Sequence, residues 1–441
     1  MTPFAAPDNS LTFTPPTIPC TIFSISSYGA KTGSTAAANR TAINNAVAAA
    51  KAAGGGVVDV PAGTWPSGAI QLDSNIELHL DAGATIAFSA SAADYLPAVL
   101  TRWEGLDVMN YSPLVYALNA TNVAITGTGT LKGPGPAWGG GIGNWKTASM
   151  TVAANIYQMY YTALPKGMGT LPPPPNAVQP NGAPGLRPTF VECNGCTNFL
   201  VDGPTVTAGP YWTLHPLYSD NVIVRNVKVD TSANGTGSNG DGTNPDSCSN
   251  VLIDGATYAT SDDNIAIKAG LNEDGIAVGK PSHNIVVRNV QSTTGHGGIT
   301  IGSEMSGGVN NVYATASKFM GVQDSIRIKT LNGRGGVLEN FWFENLTLGW
   351  SKDGINLTTQ YSQSTIAPHD PSLVTTLRNI NITGVTGTGS GPVYSITGPA
   401  SNISLNMINL SGGAGTCTAA TMITLTNVMF NGSAATTLSG C

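Results

Sequence analysis

The stretch "NVIVRNVKV" (Asn221–Val229) decides the fold. It opens on Asn, then alternates aliphatic residues with polar ones, the period-two signature of a β-strand. The same phrase returns as "NIELHLDAG" from Asn75, "NVAITGTGT" from Asn122, "NFLVDGPTV" from Asn198 and "NVLIDGATY" from Asn250. It continues as "NIVVRNVQS" from Asn284, "NVYATASKF" from Asn311, "NFWFENLTL" from Asn340 and "NINITGVTG" from Asn379. From Asn198 onward the steps are 23, 29, 34, 27, 29 and 39 residues by subtraction. No amphipathic helix lies between successive phrases, so βαβ crossovers are unavailable. Short parallel strands joined by turns, one coil apart, make a parallel β-helix, in which each coil needs neighbours to bury its apolar face. The leading Asn belongs at a corner, where it tolerates left-handed dihedrals and can hydrogen-bond its counterpart. A propeller would repeat more regularly, and a sandwich would need more hairpin turns.

Composition agrees with an all-β chain: 441 residues, 54 Gly and only 10% charged residues. Net charge is −6, so no basic field exists to hold nucleic acid. No apolar run reaches the roughly 18 residues of a membrane-spanning helix. The start, "MTPFAAPDNS", shows no signal peptide, and the chain reads as a secreted or periplasmic protein beginning at a mature terminus. Among six Cys, Cys417 and Cys441 bracket the last segment and suit a disulfide. Cys193 and Cys196 suit a small disulfide or two free thiols, and Cys248 an ordinary buried thiol. One solenoid domain is expected over 1–441, with an N-terminal cap at about 20–60 and a closing segment at about 400–441. Within the cap, "NRTAINNAVAAAKAAGGG" (39–56) reads as a helix covering the first coil. The Pro- and Gly-rich stretch 134–190 reads as a loop insertion or flap.

The acids gather in "NGDGTNPDSCSNVLIDGATYATSDDNIAIKAG" (239–270). With Ile265 and Ile267 inward, Asp262 and Lys268 face out. Asp263 falls in the inward register, which an unpaired carboxylate does not tolerate. The chain is therefore expected to turn there and swing Asp263 to the surface. One coil on, "TGHGGITIG" faces His296 outward; the next, "SIRIKT", does the same for Arg327 and Lys329. Tyr361 lies one coil further. Taken singly, a DD pair or a GHG is an ordinary turn. On one face at coil spacing, roughly 4.8 Å apart, the groups form a stripe suited to hydrolysing an anionic glycan.

At these residues the sequence resembles the polygalacturonases, glycoside hydrolase family 28. The matching motifs are "NGD" (239–241), "DD" (262–263), "GHG" (295–297), "RIK" (327–329) and Tyr361. Longer stretches such as "RWEGLDVMNYSPL" and "GSEMSGGVNNV" resemble the bacterial-type, exo-acting branch. The resemblance implies a single-stranded right-handed parallel β-helix of the pectin-lyase-like kind. It implies inverting hydrolysis of α-1,4-galacturonosyl bonds, with no metal and no cofactor. By position, Asp262 would donate the proton, Asp241 with Asp263 would activate water, and His296 would support the acid. Asn239, Arg327, Lys329 and Tyr361 would hold the substrate, a polyanionic pectic polysaccharide or oligogalacturonide. A monomer with no nucleic-acid or membrane partner is expected.

The sequence departs from the family at Gly240 (usually Thr), Asn244 (Asp) and Ser261 (Gly), and from the exo-branch at Leu271 and Asn272 (Arg and Asp). These departures leave a substituted backbone, such as xylogalacturonan or rhamnogalacturonan, as an alternative substrate. A Ca²⁺-dependent β-helical lyase and a non-catalytic glycan-binding module are rival functions.

Overall fold

The computed structural model describes residues 11–135, 137, 155–160, 162, 171, 174–175, 185–232, 239–362, 368 and 370–441. Its strands stack as a right-handed parallel β-helix. The first aliphatic residue after each repeating Asn pairs with its equivalent on the next coil. That column runs Ile76, Val123, Phe199, Val222, Val251, Ile285, Val312, Phe341, Ile380 and Ile403. A second face carries Val191, Leu214, Thr243, Ile265, Ile299, Ile326, Ile355 and Tyr394 in register. A third carries Leu131, Val206, Val229 and Tyr258. Inward residues of all three faces join one apolar core running from Ile25 to Leu438.

The repeating Asn explains why coils of unequal length keep one register. Asn75, Asn122, Asn198, Asn221, Asn250, Asn284, Asn311, Asn340, Asn379 and Asn402 all have positive φ, between 52° and 62°. Side-chain amides donate to the Asn Oδ1 of the coil below: Asn122 to Asn75 at 2.9 Å, Asn221 to Asn198 at 2.8 Å, Asn284 to Asn250 at 3.1 Å and Asn402 to Asn379 at 2.8 Å. The ladder changes partner once, where Asn250 donates to Asp220 Oδ1 at 2.8 Å. Asn combines tolerance of this backbone with a donor and an acceptor, which Gly lacks.

The expected capping helix spans Ala36–Ala52, slightly earlier than the sequence pattern suggested. Thr35 caps it by accepting from the Ala38 N–H, and Ala42, Ile43, Ala46, Val47 and Ala50 face the first coil. Gly54 and Gly55 then turn at φ 89° and 132° into the strand Gly56–Val60. Disulfides join Cys193 to Cys196 and Cys417 to Cys441, and Cys248 is a buried free thiol.

Two features were not foreseen. Leu11, Phe13 and Ile18 lie along an outward apolar stripe made of Ala124, Leu200, Ile223, Leu252 and Val286. An antiparallel hairpin, Val99–Trp103 with Leu106–Asn110, projects beside the acid-rich face, its turn made by Glu104 and Gly105 at positive φ. The 134–190 insertion falls mostly outside the described residues. Of it, residues 155–160 are helical, and Ile156 and Tyr157 pack with Trp103, Leu186, Tyr211, Trp212 and Leu271. Among the described residues no helix is long and apolar enough to cross a membrane.

The ladder makes a testable demand. Asn284→Ala forces Ala to φ 57° and removes the amide bonds above and below, so it should cost about 1–3 kcal/mol. Asn284→Gly loses the same bonds without the backbone penalty and should cost less. Urea midpoints of the two variants, side by side, check the order.

Candidate active site

Main-chain pairing builds the site. Gly242 N–H donates to Asp263 O at 2.9 Å and Asn264 N–H to Gly297 O at 2.7 Å. Asp241, Asp263 and Gly297 therefore occupy one register position on successive coils. A bend over residues 261–264, just before the strand Ile265–Ile267, sets Asp262 beside them. One carboxylate oxygen from each of Asp241, Asp262 and Asp263 lies within 4.8 Å of the others.

The three acids have different neighbours. Asp262 is the most accessible, with a side chain 15% exposed. Its Oδ1 lies 3.1 Å from His296 Nδ1, and its Oδ2 accepts from the Asn239 N–H at 3.1 Å. Burial pushes its pKa up, but the His296 hydrogen bond and the Lys329 charge bring it below the usual carboxylate range. His296 is raised in turn, chiefly by its bond to Asp262. Asp241, only 3% exposed, accepts from Asn244 Nδ2 at 2.9 Å and has Lys268 Nζ at 3.9 Å. Burial first, and then the Asp262 charge, push it up to about 8.

Asp263 corrects an expectation. It does not swing to the surface: its side chain is 1% exposed. The inward-looking register is tolerated because Lys329 Nζ reaches Oδ2 at 2.8 Å and Arg327 reaches Oδ1 at 3.1 Å. Burial raises its pKa, but Lys329 and then Arg327 hold it far below the ordinary value. These cations come from two coils away, and Gly297 clears the path between. A Cβ at 297 would stand 2.4 Å from Asp263 Oδ1 and 2.0 Å from Thr300 Oγ1. Gly295 has the same reason: its Cβ would meet Asn264 Nδ2 at 2.6 Å.

The expected binding groups are at hand, with more partners than parity could show. Arg327 and Lys329, read from the sequence as outward and free for substrate, are ion-paired with Asp263. Arg327 Nε also lies 3.1 Å from Asp324. Tyr361 lies beside both cations, its ring centre 5.6 Å from the Arg327 guanidinium and 5.4 Å from the Lys329 ammonium. Asn239 Oδ1 accepts from Arg187 at 2.8 Å.

Sequence reasoning missed the layer behind. Lys268 pairs with Glu304 at 2.8 Å and lies 4.3 Å over the Trp212 ring. Asp246, within the acid-rich stretch, is buried and paired with Arg102 at 2.8 Å and His215 at 3.5 Å. His215 continues to Glu192 at 3.1 Å. A signal did exist: with so few charges in the chain, a charged residue inside an apolar strand, as in "FVECN" or "IAIKAG", needs a buried partner. Gly240 and Ser261 also explain each other, since a Cβ at 240 would meet Ser261 Oγ at 2.3 Å.

Three converging carboxylates could hold a cation. Here both oxygens of Asp263 already face Lys329 and Arg327, His296 lies against Asp262, and Lys268 is near Asp241. This donor set fits a Ca²⁺ shell of six to eight oxygens poorly.

A parallel β-helix bearing clustered, differently protonated carboxylates beside fixed cations defines a β-helical glycan-cleaving enzyme. The chain belongs to the glycosyl hydrolases family 28, which it matches over residues 180–435, and it is thus a glycoside hydrolase. It is 28% identical over 334 residues to a probable polygalacturonase of Vitis vinifera, covering 74% of this chain and 60% of that protein. It is 26% identical over 425 residues to an exo-poly-alpha-D-galacturonosidase of Dickeya chrysanthemi, covering 89% of this chain and 67% of that protein. A hyperthermoactive exopolygalacturonase from Thermotoga maritima superposes with a TM-score of 0.83 at 31% identity, covering 96% of this chain and 94% of that one.

The raised Asp241 carries a cost that can be measured. A carboxyl whose pKa rises from 3.8 unfolded to about 8 folded contributes stability below the lower value. That contribution is lost as pH rises through about 8. Asp241→Asn should therefore abolish turnover yet raise the melting temperature on the alkaline side, with little gain in acid. Paired melting curves across pH check the sign.

Proposed function

We propose that the chain hydrolyses α-1,4-galacturonosyl linkages of a pectic polygalacturonate, releasing units from a chain end with inversion and without a metal. The observation that carries this reading is the division of labour among the three aspartates. Asp262 alone opens to the cleft, so it is the group that can meet the leaving oxygen. Asp241 and Asp263 stand behind it as the base pair for water, with Lys329 and Arg327 keeping Asp263 ionised.

In the free site the proton rests on Asp241, which is buried with Lys268 3.9 Å away, whereas Asp263 has two cations in contact. The trio titrates as one unit, and the competent microstate has that proton on Asp262. A leaving oxygen bonded to Asp262 favours this transfer, and His296, 3.1 Å away, is placed to assist it. Once ionised, Asp241 draws a proton from water while Lys268 holds its charge.

Inversion follows from the same burial. A covalent nucleophile must touch the anomeric carbon, and neither buried carboxylate reaches a sugar without leaving its partners. The acids are closer together than the roughly 6.5–9.5 Å of opposed inverting pairs. Acid and base here stand side by side on one sheet rather than on opposite sides of a ring.

Chain-end action draws on the named exo-acting relatives. The enzyme acts as a monomer outside the cytoplasm, a placement supported by its two disulfides.

Polygalacturonate digests should yield monogalacturonate from the first time points, and proton NMR should show the β-anomer forming first. A ladder of mixed oligomers would refute chain-end release, and an initial α-anomer would refute inversion. Asp262→Asn should lower kcat by about 10²–10⁴-fold while leaving substrate binding nearly intact. Prolonged treatment with chelator should leave turnover unchanged and produce no ultraviolet-absorbing unsaturated sugar. Loss of activity on chelation, with unsaturated products beforehand, would favour the lyase.

A further inference from the structure

The lysine behind the aspartates stops just short of contact with one of them. Lys268 follows the strand Ile265–Ile267, and its side chain is buried. Its ammonium stands between two acids, 2.8 Å from Glu304 Oε2 and 3.9 Å from Asp241 Oδ2. The Trp212 ring lies against it at 4.3 Å. Glu304 belongs to the next coil, and main-chain bonds fix it there. Its carbonyl accepts from the Ala269 N–H at 2.8 Å, and Ser303 Oγ donates to its Oε1 at 3.0 Å. Two further bonds tie the same loop down, Ser306 N–H to Gly270 O at 3.0 Å and Gly307 N–H to Ala269 O at 2.7 Å. Glu304 therefore meets Lys268 from an anchored backbone.

Other charges act on the same groups. Asp241 is faced by Asp262 and Asp263, and by Lys268 and Lys329. The Arg187 guanidinium and the Tyr211 phenol also feel its charge. Lys268 is faced by Glu304, Asp241 and Asp263, with Asp246 behind it. Glu304 is faced by Lys268, Arg334 and Lys329. Lys329 is held by Asp263 at 2.8 Å and Arg187 by Asn239 at 2.8 Å. Among the described residues, Lys268 is thus the cation that a small displacement brings onto Asp241.

We propose that Glu304 is a positioning residue for the hydrolysis: by holding the Lys268 ammonium out of contact with Asp241, it keeps on the trio the proton that the acid needs. This rests on the division of labour among the aspartates proposed above. Were Glu304 neutral, the Lys268 charge would turn to Asp241. Contact would ionise Asp241 in the free site, and the trio would reach neutral pH with no proton to pass to Asp262. With Glu304 charged, Lys268 is near enough to steady Asp241 once it has ionised, yet too far to ionise it beforehand.

The test follows the Asp241 proton itself. Aspartate side chains are isotope-labelled and titrated by carbon NMR, and the Asp241 signal is the one missing from Asp241→Asn. In the wild type it should titrate at about 8. Glu304→Gln should move that titration to lower pH by about one to three pH units. The alkaline limb of kcat/KM on polygalacturonate should move with it. In the Lys268→Met background, Glu304→Gln should shift the titration far less, because the lysine through which it acts is gone. An unchanged titration in folded Glu304→Gln overturns the proposal. So does an equal shift in the Lys268→Met background, which would make Glu304 act on Asp241 directly. If Glu304→Gln does not fold, Lys268→Arg carries the test, since its longer fork reaches both acids. It too should lower the Asp241 titration, and an unchanged value overturns the proposal. Failure of the wild type to hydrolyse polygalacturonate would overturn the hydrolase reading instead, because the titration is read without turnover.

Discussion

Main-chain hydrogen bonding between coils is the constraint on which everything else rests. Gly242 to Asp263 and Asn264 to Gly297 are ordinary ladder bonds, yet they place residues from distant parts of the chain one above another. The Asn ladder keeps that stacking in register while the step from one Asn to the next varies from 23 to 76 residues. The variation is absorbed in turns outside the core. A solenoid can therefore lengthen one turn to form a cleft wall without moving the acids, since each coil answers only to its neighbours.

Burial then turns position into chemistry. Three carboxylates within 4.8 Å cannot all ionise without counter-charge. The structure supplies that charge unevenly. Asp263 receives two cations in contact, Asp262 receives a histidine, and Asp241 receives only a distant Lys268. This unevenness leaves the group with one proton to hold near neutral pH. The outer layer of Glu304, Asp246, His215 and Arg102 fixes Lys268 and the nearby hairpin, so the distribution does not depend on mobile side chains.

Much of this was legible in the sequence because it is periodic. The Asn phrase encodes a backbone conformation and a side-chain ladder at once, and alternation gives the facing of Asp262, His296, Arg327 and Lys329. The burial of Asp263 was not legible. Parity placed it inward, but only contacts 64 and 66 residues away show how its charge is met. The Arg102–Asp246 pair spans 144 residues and depends on a hairpin that carries no repeat. The N-terminal segment over Leu200 and Ile223 was hidden likewise, because an outward aliphatic residue in a strand does not announce what covers it.

Gly297 shows how the absence of a side chain organises this cleft. Along one register position the chain places Asp241, Asp263, Gly297, Asp324 and Asp353. A side chain at the middle coil would separate the lower acids from Arg327 and Lys329. Asp263 would then sit buried without counter-charge and would take up a proton. With the gap open, Arg327 spans it and touches an acid on either side, at 3.1 Å each. The same residue type at the same register position thus ends in different charge states, set by which cation each can reach.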